Sequence, residues 1–198
     1  MIQGKIITLR TASTTDRPLI YKMGQSTDIL TSHFPEKGFA EFEADYHDGY
    51  FDSRDPSACG GMMICVDEMP VGFISYGNTS GTVGSVYYPA IMGVMELDIW
   101  LHGEQNCGKG YGTDAVTTLS KYLHQTHSIH TVFMCPSRSN PRAIRAYEKA
   151  GLIEITGNKK QALLERIFVP EVLAAFDSNS EYLSDESVFM MKEFDTMK

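Results

Sequence analysis

The chain has 198 residues, enough for one domain with a sizeable buried core. Hydrophobic residues make up 42% and charged residues 21%, the balance of a soluble globular protein, and no segment approaches the run of about 20 apolar residues that a membrane span needs. A net charge of −8 argues against a nucleic-acid binder, because phosphate affinity rests on clustered Lys and Arg.

Lys5 to Arg10 alternates enough to predict a first strand. The preceding residues run straight into it, without the apolar core and small-residue cleavage site of a signal peptide, so a cytoplasmic protein is expected. Thr14-Thr15-Asp16-Arg17-Pro18 offers an N-cap with Pro near the helix start and predicts a helix from about Asp16. A second helix is expected around Gly38 to Tyr50. Glu36, Glu41, Glu43, Asp45, Asp48, Asp52 and Asp55 crowd this region against Lys37 and Arg54. They form either a solvated helix face or a field that steers a cationic substrate.

Gly61–Val66 and Pro70–Tyr76 are apolar runs with Asp67-Glu68-Met69 between them, which predicts a hairpin with a three-residue turn. Val94 to Leu101 is another strand, with Glu96, Asp98 and Trp100 alternating against Met95, Leu97 and Ile99. It stops at His102-Gly103. Thr113 to Gln125 then reads as a helix, carrying Ala115, Val116, Leu119, Tyr122 and Leu123 at helical spacing.

Ile129 to Met134 is a short buried strand. Ser139-Asn140-Pro141 opens a helix with a capping residue and a first-turn Pro, and Gly151 closes it in the left-handed conformation. Leu152 to Thr156 and Val188 to Phe194 are strands. Between them Lys159 to Leu183 has a helical pattern interrupted at Pro170 and reads as an insertion. The sum is a mixed α/β domain.

The four cysteines form no CxxC pair, so no zinc site is expected and the thiols are read as reduced. His124, His127 and His130 recur every three residues without a carboxylate or thiolate at ligand spacing. They read as a polar helix terminus.

Gln105-Asn106-Cys107-Gly108-Lys109-Gly110-Tyr111-Gly112 lies between a strand and a helix. Glycines there let the backbone turn tightly and approach a ligand with no Cβ in the way. The loop amides and the following helix N-terminus then make a ready anion site, suited to a pyrophosphate. The pattern is neither Walker A nor GxGxxG, and Lys109 is not followed by Ser or Thr, so magnesium-bound nucleotide is a poor fit. Taken alone, the segment is equally a Gly-rich turn with no ligand.

Gln105-x-x-Gly108-x-Gly110 resembles the Q/R-x-x-G-x-G/A pyrophosphate loop of the GNAT superfamily of N-acetyltransferases. Asn140-x-x-Ala143-x-x-x-Tyr147-x-Lys149-x-Gly151-Leu152 resembles that superfamily's N-x-x-A-x-x-x-Y-x-K-x-G-F segment. The two stand in the usual order, and the hairpin at 61–76 and the strand at 94–101 fall where the superfamily has its second to fourth strands. The likeness covers about residues 60 to 194, while 1–59 fit only in outline. Within the superfamily, residues 136–151 are most similar to aminoglycoside 6′-N-acetyltransferases and their relatives.

The resemblance implies the GNAT fold, an α/β (α+β) domain with a mixed central sheet of about six to seven strands flanked by helices. One such domain would span 1–198, with the insertion at about 159–183. It implies acetyl-CoA as co-substrate, no metal, and direct attack by an amine in a ternary complex with no acyl-enzyme. Cys107 is then a loop residue, not a nucleophile.

By the same likeness Tyr147 is the general acid that protonates the leaving thiolate. The alternative is a helix aromatic packed in the core. Asn140, seven residues earlier on the same helical face, is the coenzyme-contacting Asn. Backbone groups of Leu97, Ile99 and Leu101 would bond the pantetheine and the thioester carbonyl. Gln105, Cys107, Gly108, Lys109, Gly110, Tyr111, Gly112 and Thr113 would hold the phosphates, with Ala143 also on the coenzyme. Asp98 and Glu96 share one strand face; one of them would take the amine's proton or pair with an ammonium, unless both are strand acids in solvent.

One departure bears on the acceptor. The aminoglycoside enzymes carry an Asp where this chain has Cys135, and a neutral thiol cannot pair with an ammonium. The readings are therefore an acetyltransferase of a small cationic amine (an aminoglycoside, a polyamine or a relative), a protein or peptide N-acetyltransferase, and a non-catalytic acyl-CoA-binding module. Retention of Asn140 and Tyr147 argues against the last. A monomer or homodimer is expected, with no nucleic-acid or membrane partner.

Overall fold

A computed structural model describes residues 1–25, 38–45, 57–78, 81–83, 86–88, 92–176, 180 and 182–195. Its strands form one eight-stranded sheet, slightly more than the six to seven expected, in the order Ile2–Gln3, Thr8–Thr11, Cys59–Val66, Met69–Gly77, Val94–Leu101, Thr131–Met134, Met190–Glu193 and Ile153–Glu154, with a separate two-stranded ribbon of Gly81–Val83 and Val86–Tyr88. The chain divides into two compact units, Met1–Gly77 with Leu97–Tyr122, and Asn78–Glu96 with Leu123–Lys198.

The first unit begins with β1 (Ile2–Gln3) and β2 (Thr8–Thr11). The expected strand at Lys5–Arg10 is thus only half realised. Residues 4–7 form a turn, closed by the Gly4 amide donating to the Ile7 carbonyl at 2.9 Å. A short 3-10 turn, Thr14–Asp16, leads into α1 (Arg17–Gln25). Asp16 is the hub of this corner. It takes both Arg10 guanidinium nitrogens at 2.8 Å and the Ser13 amide at 2.9 Å. α2 (Phe39–Asp45) fills the described part of the helix expected around 38–50, and 46–50 lie outside the described residues. Of the acidic cluster, Glu41 is exposed and Glu43 half-buried, while Glu36, Asp48, Asp52 and Asp55 also lie outside the described residues.

β3 (Cys59–Val66) and β4 (Met69–Gly77) form the expected hairpin. Its turn is two residues, not three, because Met69 pairs with Val66. Asp67 (φ 48°) and Glu68 (φ 67°) both take the left-handed conformation that a tight two-residue turn demands. Ile20, Met23, Phe42, Met63, Phe73 and Trp100 bury together beneath α1 and α2. Phe73 and Trp100 lie 4.9 Å apart, centroid to centroid. Burial of such side chains is the main favourable term in the fold.

β7 (Val94–Leu101) matches the expected strand residue for residue. α3 (Tyr111–His127) extends the expected helix by two residues at each end. Both elements contribute to each unit.

In the second unit β7 runs parallel to β8 (Thr131–Met134), pairing Val94 with Thr131, Met95 with Val132 and Glu96 with Phe133. α4 (Pro141–Lys149) and the two-residue β9 (Ile153–Glu154) follow. β10 (Met190–Glu193) lies antiparallel between β8 and β9. The insertion at 159–183 holds two helices, α5 (Gly157–Ile167) and α6 (Pro170–Ala175), broken at Phe168-Val169 just before Pro170, as its pattern indicates. It is not a loose appendage. Leu163, Leu164, Ile167, Phe168 and Val172 share a core with Val94, Phe133 and Phe189, and Phe133 stacks on Phe189 at 5.2 Å. The β5 (Gly81–Val83) and β6 (Val86–Tyr88) ribbon has no counterpart in the sequence reading.

The Arg10 pair holds the Asp16 carboxyl down at about 2 from an ordinary 3.8, with help from the Ser13 amide and against the opposing effect of burial. The unfolded chain therefore binds more protons across that window, so the contribution is whole above pH 3.8 and is lost as pH falls towards 2. With Arg10 36% exposed, solvent screening trims it to about 1–2 kcal/mol. Asp16→Asn should lower stability by that amount at pH 7 and flatten the acid limb of a stability–pH curve measured by urea unfolding. A limb as steep as in the parent would show that other carboxylates set it.

Candidate functional site

The Gly-rich segment between β7 and α3 is built by three left-handed glycines. Gly103 (φ 72°) turns the chain out of β7, and Gly108 (φ 73°) and Gly110 (φ 87°) fold the loop back to the helix. A Cβ on Gly108 would meet nothing within 4 Å, so backbone conformation and not space is what calls for glycine there. Residues Glu104–Asn106 make a 3-10 turn, and the side-chain amide of Asn106 donates to the His102 carbonyl at 2.6 Å. This clamps the outgoing end of the loop. Gly108, Lys109 and Gly110 stand exposed at its tip. The Lys109 ammonium lies 5.9 Å from the Tyr111 ring centroid, which keeps the cation beside the first residue of α3.

α3 starts directly from this tip. The Asp114 amide donates to the Gly110 carbonyl at 2.9 Å, which makes Gly110 the residue before the helix. The amides of Tyr111, Gly112 and Thr113 are then the first-turn donors, a set suited to an anion. A Cβ on Gly112 would sit 3.8 Å from Ile99 Cδ1 and 3.9 Å from Leu101 Cδ1, so the first turn packs against two of the β7 candidates. The first unit thus brings together Ile99, Leu101 and the loop from Gln105 to Thr113. Cys107 ends the 3-10 turn with its thiol 3.7 Å from the Gly103 carbonyl, as a loop residue.

Asn140, Ala143 and Tyr147 belong to the second unit. Asn140 is the N-cap of α4, and its Oδ1 accepts from the Ala143 amide at 3.1 Å. Two of the expected coenzyme contacts are therefore bonded to each other. Tyr147 is 8% exposed, so little of the residue meets solvent. Its carbonyl accepts from Ala150 and Leu152, both at 3.0 Å, around the left-handed Gly151 (φ 91°), which ends the helix as expected.

The two β7 acids differ. Asp98 is exposed, and Glu96 is half-buried and accepts from the Tyr182 hydroxyl at 2.8 Å. Tyr182 escaped the sequence reading. The only trace it left there is its place in an aromatic-rich insertion, where its ring lies 5.0 Å from that of Phe168. Cys135 is half-buried and packs on the apolar core of the second unit. Among the described residues no three His, Cys, Asp or Glu side chains gather as a metal site. His124 bonds the Ile129 carbonyl and stacks on Phe194 at 4.5 Å, while His130 bonds Thr131. No helix of the described residues is long and apolar enough to cross a membrane.

Residues 7–153 match the family model described as "Acetyltransferase (GNAT) domain". A stretch of 59 residues, 30% of this chain, is 42% identical to aminoglycoside N(6')-acetyltransferase type 1 of Klebsiella pneumoniae, spanning 29% of that protein. The same share of the chain is 42% identical to a kanamycin resistance protein of Rhizobium radiobacter, spanning 55% of it. The chain therefore aligns with less than two thirds of either relative. Among solved structures, AAC(6')-Ib in complex with ribostamycin and coenzyme A superposes with a TM-score of 0.66 at 20% identity, covering 94% of this chain and 93% of that one. Spermidine N-acetyltransferase of Vibrio cholerae, with CoA and spermine, gives 0.64 at 17%, covering 96% of each. These likenesses establish the fold.

The cap on α4 is a local feature with a local test. Asn140→Ala removes the acceptor for the Ala143 amide and should cost about 1 kcal/mol. For a chain of this size that is a fall in Tm of about 2–4 °C by circular dichroism. An unchanged Tm would mean that water replaces the cap without loss.

Proposed function

The chain belongs to the GNAT acetyltransferase family, and from that premise we propose that it moves an acetyl group from acetyl-CoA to a primary amine of a small cationic molecule. The observation that carries the donor half is the loop. Its left-handed glycines, exposed tip and adjoining helix start suit the pyrophosphate of a coenzyme, and Gly108 leaves open space where a side chain would stand.

In this reading the amine nitrogen attacks the thioester carbonyl carbon directly, the C–S bond breaks, and Tyr147 gives the departing thiolate its proton. The amine's own proton leaves to Asp98 or Glu96, directly or through water. Gln105 to Thr113 hold the phosphates, and Asn140 orients the coenzyme beside Tyr147. Backbone groups of Leu97, Ile99 and Leu101 bond the pantetheine and the thioester oxygen. The whole chain acts as one catalytic domain, in the cytoplasm. A cationic acceptor is supported by the net charge of −8, by the two acids on β7, and by relatives whose names specify aminoglycosides or spermidine. With a thiol at Cys135, an aminoglycoside would lack the carboxylate that the aminoglycoside enzymes carry at this position.

Thiol release from acetyl-CoA, followed with spermidine, kanamycin and a peptide with a free N-terminus, tests the acceptor. Turnover with a cationic small molecule is expected. Turnover with the peptide alone would replace this reading by a peptide acetyltransferase.

The donor half is tested separately. Acetyl-CoA at about 100 times its Kd should add roughly 2.7 kcal/mol of stability, seen as a raised Tm. No rise at millimolar coenzyme would overturn the loop reading. Gly110→Asp should abolish that rise by placing a carboxylate against the phosphates. Tyr147→Phe should cut kcat by roughly a hundredfold with acetyl-CoA affinity nearly unchanged. Equal turnover would remove Tyr147 from the acid role.

A further inference from the structure

The turn at residues 4–7 sends its amides to an unusual place. Three in succession, Lys5 (3.1 Å), Ile6 (2.7 Å) and Ile7 (3.1 Å), donate to the carboxylate of Asp114 in the first turn of α3. The approach is close. A Cβ on Gly4 would stand 2.7 Å from Asp114 Oδ2 and 2.9 Å from Thr118 Oγ1, so only glycine lets the turn come this near the helix.

The same residue reaches Gly110 by two routes. Its own amide donates to the Gly110 carbonyl at 2.9 Å. Its carboxylate fixes Ile6, whose Cδ1 lies 3.5 Å from where a Cβ on Gly110 would be. Gly110 is the left-handed residue through which the loop enters the helix. We propose that Asp114 is a positioning residue for the coenzyme: it holds Gly110 in place from the amide side and the side-chain side, without touching the ligand. This rests on the reading of the loop as the phosphate site.

Charge alone makes the opposite forecast. An acid in the first turn favours the helix but repels an anion bound at that N-terminus. If Asp114 did nothing more, neutralising it would tighten coenzyme binding. If it positions Gly110, removing it loosens binding, because misplacing a contact backbone is costly even far from the chemistry.

Titration calorimetry with CoA, and steady-state kinetics with acetyl-CoA, on the full chain and on Asp114→Ala, Asp114→Asn and Ile6→Ala decide between these. Asp114→Ala should raise the Kd for CoA and the KM for acetyl-CoA roughly tenfold, with kcat at saturation within about twofold. Asp114→Asn keeps one carbonyl oxygen for the Ile6 and Ile7 amides and should fall between it and the parent. Ile6→Ala leaves the carboxylate and its bonds in place and should still weaken CoA severalfold, which carries the test if Asp114→Ala fails to fold. Unchanged or tighter binding in Asp114→Asn and Ile6→Ala overturns the inference alone. A parent chain that gives no heat with CoA overturns the loop reading, and this inference with it.

Discussion

A backbone amide outside a ladder must still find an acceptor, and a carbonyl a donor. That constraint organises this chain more than any side-chain pair does. Residues 5–7 leave the β1–β2 pairing, and their amides go to Asp114. α4 begins with an amide that Asn140 accepts. β7 pairs with β8 only from Val94 to Glu96, and Leu97–Leu101 forms no ladder on that edge among the described residues. The groups proposed to bond the pantetheine lie along this stretch. The loop that follows turns on left-handed glycines up to the start of α3.

How much of this was legible follows from the range of the forces involved. β7 and α4 were read to within a residue or two, because alternation, an N-cap, a first-turn Pro and a closing Gly all act within a few positions. The break before Pro170 was readable for the same reason. The segment Lys5–Arg10 misled, since alternation cannot tell a strand from a turn whose amides bond a carboxylate 107 to 109 residues away. The hairpin turn misled by one residue, because Asp67 and Glu68 adopt the left-handed conformation with no glycine to announce it. The β5–β6 ribbon carries too short a pattern to read.

The candidate site divides along the same line. Its motif residues were legible as local patterns, and the structure gives physical content to the loop glycines, since Gly108 has room for a side chain but a backbone angle that disfavours one. Its supports were not legible. Ile6 beside Gly110, Ile99 and Leu101 beneath Gly112, and Tyr182 on Glu96 are contacts between segments remote in sequence.

The donor and the acceptor are written in different chemistry, and this explains why one reading is firmer than the other. A pyrophosphate is recognised by backbone geometry, which glycine spacing reports directly. A cationic acceptor is recognised by placed carboxylates, whose placement is tertiary. Glu96 and Asp98 stand two apart on one strand, yet they are not equivalent. Glu96 is half-buried with one oxygen held by the Tyr182 hydroxyl, and Tyr182 is itself packed among Phe133, Phe168 and Phe176 of the second unit. Asp98 is exposed. In the proposed reaction, a carboxylate fixed by a half-buried phenol suits the anchoring of an ammonium, where direction matters. An exposed one exchanges protons readily with water and suits deprotonation of the attacking amine. Through the Tyr182 hydroxyl the insertion at 159–183 would then bear on the acceptor half of the proposed reaction, although no motif within it hints at a role.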